Sequence, residues 1–259
     1  CTAFLVVLGT TGETPTLSAA EQRRVVDFVL EVDAGRLPLV VGVTGNNTAE
    51  LCERISGWDV NGVAAFLVAT PAYNKPGQEG LKAHYTAVAD AAPRPVILYN
   101  VPGRTACNML AATTLALAEH PNVIGIKEAS GDLEQIGDIL ASRPAHFAVW
   151  SGDDALAMPT VAMGAEGLIS VLGNVFPKPM AAMVEQASFG QTHEARSTHA
   201  TLKPLMALMF EEGNPAGIKA AMNHLGLCEG DVRLPLTKAS AALKDKLYAA
   251  IAALEVSAH

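Results

Sequence analysis

The sequence predicts an α/β fold: a (β/α)8 TIM barrel with a C-terminal helical extension. Short apolar runs alternate with segments of helical periodicity, the pattern of parallel strands joined by crossover helices. Half of the 259 residues are hydrophobic, enough for one large core, and no composition break, linker or low-complexity stretch divides the chain. After Val171 the strand pattern stops and successive helical segments follow.

The first apolar run, Ala3 to Leu8, closes in Gly9-Thr-Thr-Gly-Glu13, and Ser18-Ala-Ala-Glu21 then supplies a capping box. The helix it opens is expected to bury Val25, Phe28, Val29 and Val32 on one face and to stop at Gly35. Pro38 to Val43 repeats the strand pattern, and Thr48 is placed to cap the next helix. Further strands are read at Val63 to Ala69, Pro95 to Tyr99, Val123 to Ile126, His146 to Trp150 and Gly167 to Val171. From Pro177 the helices are broken at Gly190, at Gly213-Asn-Pro215 and at Leu234-Pro235. Residues 1–176 are assigned to the barrel and residues 177–259 to C-terminal helices packed on it.

That makes seven strands, where a closed barrel of this type has eight. The chain opens at Cys1, within a residue or two of strand pattern, rather than at methionine. The expectation is that a first strand and helix, about 30 residues by the size of a βα unit, precede it in a longer native gene product. The visible strands are then the second to the eighth; the alternatives are a further strand within the chain that the pattern does not mark, or an open sheet.

Charge and cysteine usage narrow the function classes. Eighteen Lys and Arg against 26 Asp and Glu give a net charge of -8, with no basic block to neutralise nucleic acid or an anionic membrane. Cys1, Cys52, Cys107 and Cys228 are scattered without CxxC spacing, which suits reduced thiols in the cytoplasm. No apolar run reaches membrane-spanning length, and the opening segment is too short and lacks the charged flank of a signal peptide.

In a βα barrel the active site lies at the C-terminal ends of the strands. Val123-Ile-Gly-Ile-Lys127 delivers one lysine there, on a strand apolar enough to be buried on both faces. Low dielectric at that place disfavours the ammonium form and favours a nucleophilic amine. From position alone, a lysine ending a strand is more usually one that merely reaches for water. The neighbouring strand ends add Gly9-Thr10-Thr11-Gly-Glu13, Pro71-Ala-Tyr73-Asn74 and Tyr99-Asn-Val-Pro-Gly-Arg104-Thr105. Adjacent strands are about 4.8 Å apart, so Tyr99 is expected beside Lys127. A phenol next to an amine supplies the proton transfers that Schiff-base formation needs, relayed through a threonine. Packing and turn capping are the plainer roles of Tyr99, Thr10 and Thr11.

Arg104 follows a Pro-Gly turn, and its guanidinium suits a carboxylate in bidentate fashion or a surface salt bridge. Gly12, Gly103, Gly131 and Gly152 are expected at turns of positive φ or at close backbone approaches. None falls into a nucleotide-binding GxGxxG or GxxxxGK pattern. The seven histidines form no HxH or HExxH, Asp153-Asp154 has no partnering ligand cluster, and no nucleophile elbow is present. Covalent amine catalysis, with neither metal nor cofactor, is what remains.

These motifs resemble the dihydrodipicolinate synthase family, within the pyruvate-dependent class I aldolases. GTTGE from Gly9, TPxYN from Thr70, YNVPGRT from Tyr99, GIKEASGD from Gly125 and SGDD from Ser151 occur in the family's order. So do Gly167-Leu-Ile-Ser-Val171 and Asn214-Pro215, and the likeness spans essentially all 259 residues. The resemblance implies condensation of pyruvate with aspartate 4-semialdehyde on the way to lysine and diaminopimelate, through a covalent imine between Lys127 and pyruvate. It implies Tyr99, Thr10 and Tyr73 as the proton relay, with Tyr73 reaching the site of a neighbouring subunit in a homotetramer built as a dimer of dimers. It also implies that Thr11 holds the substrate carboxylate, that Arg104 receives the semialdehyde's carboxylate, and that Gly152 and Ile169 line the pyruvate pocket.

Lyases of sialic acid or of keto-sugar acids share the lysine and the tyrosine, so Arg104 is the discriminating feature: a carboxylate-bearing aldehyde needs a cation there, a polyhydroxylated one neutral groups. A barrel that binds a keto acid without turning it over is a further alternative. Against it stands the joint presence of Lys127, Tyr99, Thr10 and Tyr73. Asn46 and Glu50 match the polar part of the family's lysine-binding cleft, but Ala19, Gln22 and Ala72 stand where lysine-sensitive members often carry two histidines and a tyrosine. Feedback by lysine is expected to be weak or absent.

Overall fold

A computed structural model of the chain describes residues 2–257, with side chains as far as Leu254. Seven strands form one curled parallel sheet in chain order: β1 (Leu5–Val7), β2 (Leu39–Gly42), β3 (Val63–Ala69), β4 (Val96–Asn100), β5 (Val123–Glu128), β6 (Ala148–Ser151) and β7 (Gly167–Leu168). Each strand lies beside the next because the crossover between them is short. Among the described residues β1 and β7 each have a single strand neighbour. The crossovers carry α1 (Ala19–Asp33), α2 (Thr48–Ser56), α3 (Gln78–Ala91), α4 (Pro102–Thr105), α5 (Ala111–Ala118), α6 (Leu133–Ser142) and α7 (Ala157–Ala162). After β7 come α8 (Pro177–Ser188), α9 (Thr192–Leu208), α10 (Ala216–His224) and α11 (Ala241–Ser257).

The alternation of strand side chains decides what faces where. Ile97 and Tyr99 belong to the interior cluster with Val40, Ala65 and Leu67, where Phe4 meets Trp150 edge to face at 5.7 Å. Phe66, Leu98, Ile126 and Val149 point the other way and pack with Tyr85, Val88 and Ile139 of the helical layer. With Ile126 outward, the period of two turns Lys127 inward and Glu128 outward. The C-terminal helices have their own core of Met180, Met183, Leu202, Leu205, Leu243 and Leu247, joined by Leu172 and Val175.

The capping box forms: Ser18 Oγ accepts from Glu21 N at 3.3 Å while Ser18 N donates to Glu21 Oε2 at 2.9 Å. Helix α1 ends in Ala34 and Gly35, both left-handed at φ 51 and 75. Its buried face differs from the expected one. Val26 is fully buried with Val29 and Leu30 packed beside it, whereas Phe28 and Val32 are 65% and 57% exposed. The helix is rotated so that the 26/29/30 stripe, at helical spacing, meets the sheet. At α2 the cap is Asn47, whose Oδ1 accepts from Glu50 N at 3.4 Å, because Thr48 Oγ1 is engaged with His84 Nδ1 at 2.8 Å.

Strand β7 also departs from expectation, stopping at Leu168 instead of Val171. The Asp154 carboxylate accepts from the amides of Val171 and Leu172 at 3.2 and 2.7 Å and so turns the backbone off the sheet. Of the four cysteines, Cys52, Cys107 and Cys228 are free thiols and Cys1 lies outside the described residues.

Candidate active site

Lys127 stands in register with Tyr99 on β4 and with Trp150 on β6. Its Nζ lies over the Tyr99 ring, 4.4 Å from the centroid. Hydrogen bonds continue the ladder beyond the strand ends: Thr70 N to Tyr99 O at 3.0 Å, Ala129 N to Asn100 O at 2.8 Å, Gly152 N to Glu128 O at 2.7 Å and Ile169 N to Ser151 O at 2.9 Å. The groups at the top of the sheet are therefore held by backbone rather than by loops, as a reactive constellation needs. Behind Lys127, on the outward face, Glu128 is 1% exposed and accepts from Asn100 Nδ2 at 3.1 Å, Gln135 Nε2 at 3.2 Å and Ser130 N at 2.7 Å. That network ties the ends of β4 and β5 to α6, while burial pushes the Glu128 carboxyl above its ordinary value.

Burial is the largest influence on the Lys127 amine, and Arg104 adds to it; Asp154 opposes both, and the amine is pushed down to about 8. Near neutral pH a useful fraction is uncharged and nucleophilic. Burial pushes the Tyr99 phenol up, against a hydrogen bond with the Thr10 side chain and the charge of Arg104. Tyr99 therefore keeps its proton at neutral pH.

A cavity of ≈ 1560 Å³ brings together Thr10, Thr11, Tyr99, Arg104, Lys127, Gly152 and Ile169, and it runs on into the space between β1 and β7. Asn214 donates through Nδ2 to Thr11 Oγ1 at 2.9 Å, and Glu13 accepts from Lys219 Nζ at 2.9 Å and from Arg233 N at 2.7 Å. The loop after β1 is thus fixed by segments about 200 residues further along the chain. Tyr73 is the predicted residue that does not join the cavity of its own chain. It is 90% exposed, and its backbone is left-handed at φ 73.

The glycine expectations divide. A Cβ on Gly152 would sit 2.8 Å from Ala129 Cβ and 3.0 Å from Lys127 Cε, so the lysine stem occupies that space. Gly131 has φ 80. Gly12 and Gly103 have neither positive φ nor a neighbour within 4 Å of an added Cβ, so the expectation fails for them.

Glu128, Asn214 and Asp154 take places here that the sequence motifs do not assign to them: the sequence signal for Glu128 is an acid ending an apolar strand, and for Asp154 the doubled acid of SGDD. Among the described residues no group of three or more His, Cys, Asp or Glu is placed to hold a metal ion. No helix among them is long and apolar enough to cross a membrane.

Residues 2–254 match the dihydrodipicolinate synthetase family. The chain belongs to that family. A 4-hydroxy-tetrahydrodipicolinate synthase of Phocaeicola vulgatus is 46% identical over 256 residues, covering 98% of this chain and 86% of the relative. The dihydrodipicolinate synthase structure from Thermotoga maritima superposes with a TM-score of 0.95 at 37% identity, covering 98% of this chain and 88% of that one. The chloride-inhibited dihydrodipicolinate synthase of Acinetobacter baumannii, solved with pyruvate, gives 0.94 at 37% identity with the same coverage, 98% and 88%. The synthetase-family fold agrees with the α/β barrel read from the sequence and with its C-terminal helices.

Proposed function

We propose that this chain condenses pyruvate with aspartate 4-semialdehyde to 4-hydroxy-tetrahydrodipicolinate, as a class I aldolase-type lyase of lysine and diaminopimelate biosynthesis. The observation that carries the reading is the Lys127 amine, lowered to about 8 and set over Tyr99 on the adjacent strand, in a chain of this family. The amine adds to the pyruvate ketone to give a carbinolamine, and Tyr99 protonates the departing hydroxyl through Thr10. Loss of water leaves an imine on Lys127. Its protonated nitrogen takes up the electron pair as a C3 proton leaves, which gives an enamine without any separate cofactor. C3 then attacks the aldehyde carbon, whose oxygen takes a proton from Tyr99 and becomes a hydroxyl while the imine re-forms; the semialdehyde's own amine adds at C2, closes the ring and releases Lys127 as its free amine.

Turnover of purified chain with pyruvate and aspartate 4-semialdehyde, followed by formation of the cyclic product, tests the reading. Turnover only with a neutral polyhydroxylated aldehyde would overturn it.

Arg104 is exposed at the cavity mouth on α4 and has the role of receiving the semialdehyde's carboxylate. Arg104→Leu is expected to reduce kcat/KM for the semialdehyde by about 10- to 100-fold, the worth of one charged hydrogen-bonding partner. Trapping of pyruvate should persist, with the acid limb moved up because a positive neighbour of Lys127 is gone. Steady-state kinetics with each substrate varied checks both effects.

Tyr73 is assigned to the relay of a neighbouring subunit in a homo-oligomer. Its exposure and left-handed backbone support that reading, since they aim the phenol away from its own chain. Tyr73→Phe should lower kcat by about 10² or more, the usual worth of an acid–base group; an unchanged kcat in an oligomer of unchanged mass would contradict the assignment.

Lysine inhibition is expected to be weak. Asn46 Oδ1 is taken by Ala72 N at 2.9 Å, and Gln22 Nε2 by the carbonyls of Thr14 and Leu17 at 3.3 and 3.1 Å. An inhibition assay showing strong loss of rate at low millimolar lysine or below would contradict this. The scattered free thiols support the cytoplasm as the compartment. We assign the catalytic sheet to residues 1–176 and the bracing helices to residues 177–259, a division supported by the bonds from Asn214 and Lys219 to the loop after β1.

A further inference from the structure

Asp154 has no task in the steps above, yet it is 2% exposed and lies on the wall of the same cavity as Lys127. Its Oδ1 accepts from Ser170 Oγ at 2.6 Å and its Oδ2 from the amides of Val171 and Leu172. Ser170 Oγ in turn accepts from Gly173 N at 2.7 Å, which directs the serine proton at Asp154. Both oxygens therefore act as acceptors, the arrangement of a carboxylate rather than an acid. An ionised group buried in this way calls for a positive charge nearby, and the Lys127 side chain lines the same cavity, where the charge of Asp154 favours its ammonium form.

The imine chemistry makes that charge useful. Lys127 passes through a protonated imine at every turnover, a cation in a low-dielectric pocket. Arg104 opposes such a cation, while the Tyr99 ring face and Asp154 favour it. Burial pushes the Asp154 carboxyl above its ordinary value and Asp153 adds to this, while the Ser170 hydroxyl and the amides of Leu172 and Val171 oppose it and favour the carboxylate.

Resting on the imine reading, we propose that Asp154 is a positioning residue for the condensation: a fixed negative charge that steadies the cationic nitrogen of Lys127 while pinning the turn after Ile169 against the pyruvate pocket.

The test is the pH dependence of borohydride trapping and of kcat in Asp154→Asn, Asp154→Glu and Ser170→Ala, each checked for native circular dichroism. In the unaltered protein the acid limb of trapping is expected near pH 8, because the Lys127 amine is lowered to about 8. Loss of the negative charge in Asp154→Asn moves that limb down by about one pH unit. It also lowers kcat tenfold or more on the plateau, because the protonated imine loses its counter-charge. Asp154→Glu restores the limb. Ser170→Ala keeps the charge, leaves the limb in place and raises KM for pyruvate.

A limb unmoved in Asp154→Asn would mean that the residue only holds the turn, and the proposal would fall. If that variant does not fold, Asp154→Ser, which leaves room for a water, is read in the same way. Failure of the underlying imine reading looks different: the unaltered protein then gives no adduct at any pH.

Discussion

Replacing Lys127 by alanine is expected to lower kcat by at least about 10³-fold and to abolish trapping of pyruvate, with the fold retained. Removing a covalent nucleophile typically costs this much or more, because no other group can form the intermediate. The pH dependence carries a second expectation. The pKa of the buried amine is lowered from an ordinary 10.5 to about 8. At pH 7 roughly a tenth of it is then free, against roughly three parts in ten thousand for an ordinary lysine. The rate of imine formation should therefore rise with pH and level off just above 8. A profile still climbing towards pH 10 would show that burial does not govern this amine.

Gly152→Ala is the second large effect. The added methyl would stand 2.8 Å from Ala129 Cβ and 3.0 and 3.1 Å from Lys127 Cε and Cγ. Ala129 follows directly on β5 and is tied to Asn100 O through its amide, so the flexible lysine stem is what gives way. A displacement of the order of 1 Å at a reacting centre costs about 10² in rate. The variant should thus lose about a hundredfold in kcat/KM for pyruvate, while overpacking costs about 1–3 kcal/mol of stability. Kinetics together with a thermal melt separate the two contributions, and near-native kcat/KM would show that the space is not needed.

The lysine and its strand were legible because four apolar or glycine positions, Val123 to Ile126, deliver one amine to a strand end, and strand alternation then fixes which way it points. The Ser18–Glu21 box was legible because its two hydrogen bonds depend on residues three apart in sequence. The buried face of α1 was misread, since a run of Val, Phe and Leu on several sides of a helix does not say which stripe meets the sheet. The end of β7 was misread because Asp154, contributed by the preceding crossover, captures the amides that would have continued the ladder. The reason for Gly152 was equally hidden, as it lies in contact with a side chain 25 positions away. Groups whose partners are local or repeat with the strand period are legible in the sequence, and groups defined by tertiary neighbours are not.

The most direct test of the central claim is the intact mass of the protein after incubation with pyruvate and borohydride reduction, followed by peptide mapping of the adduct. One reduced pyruvyl adduct per chain is expected, located on Lys127 and lost in Lys127→Ala. Folded protein that takes up no adduct, or carries it on another lysine, would contradict it.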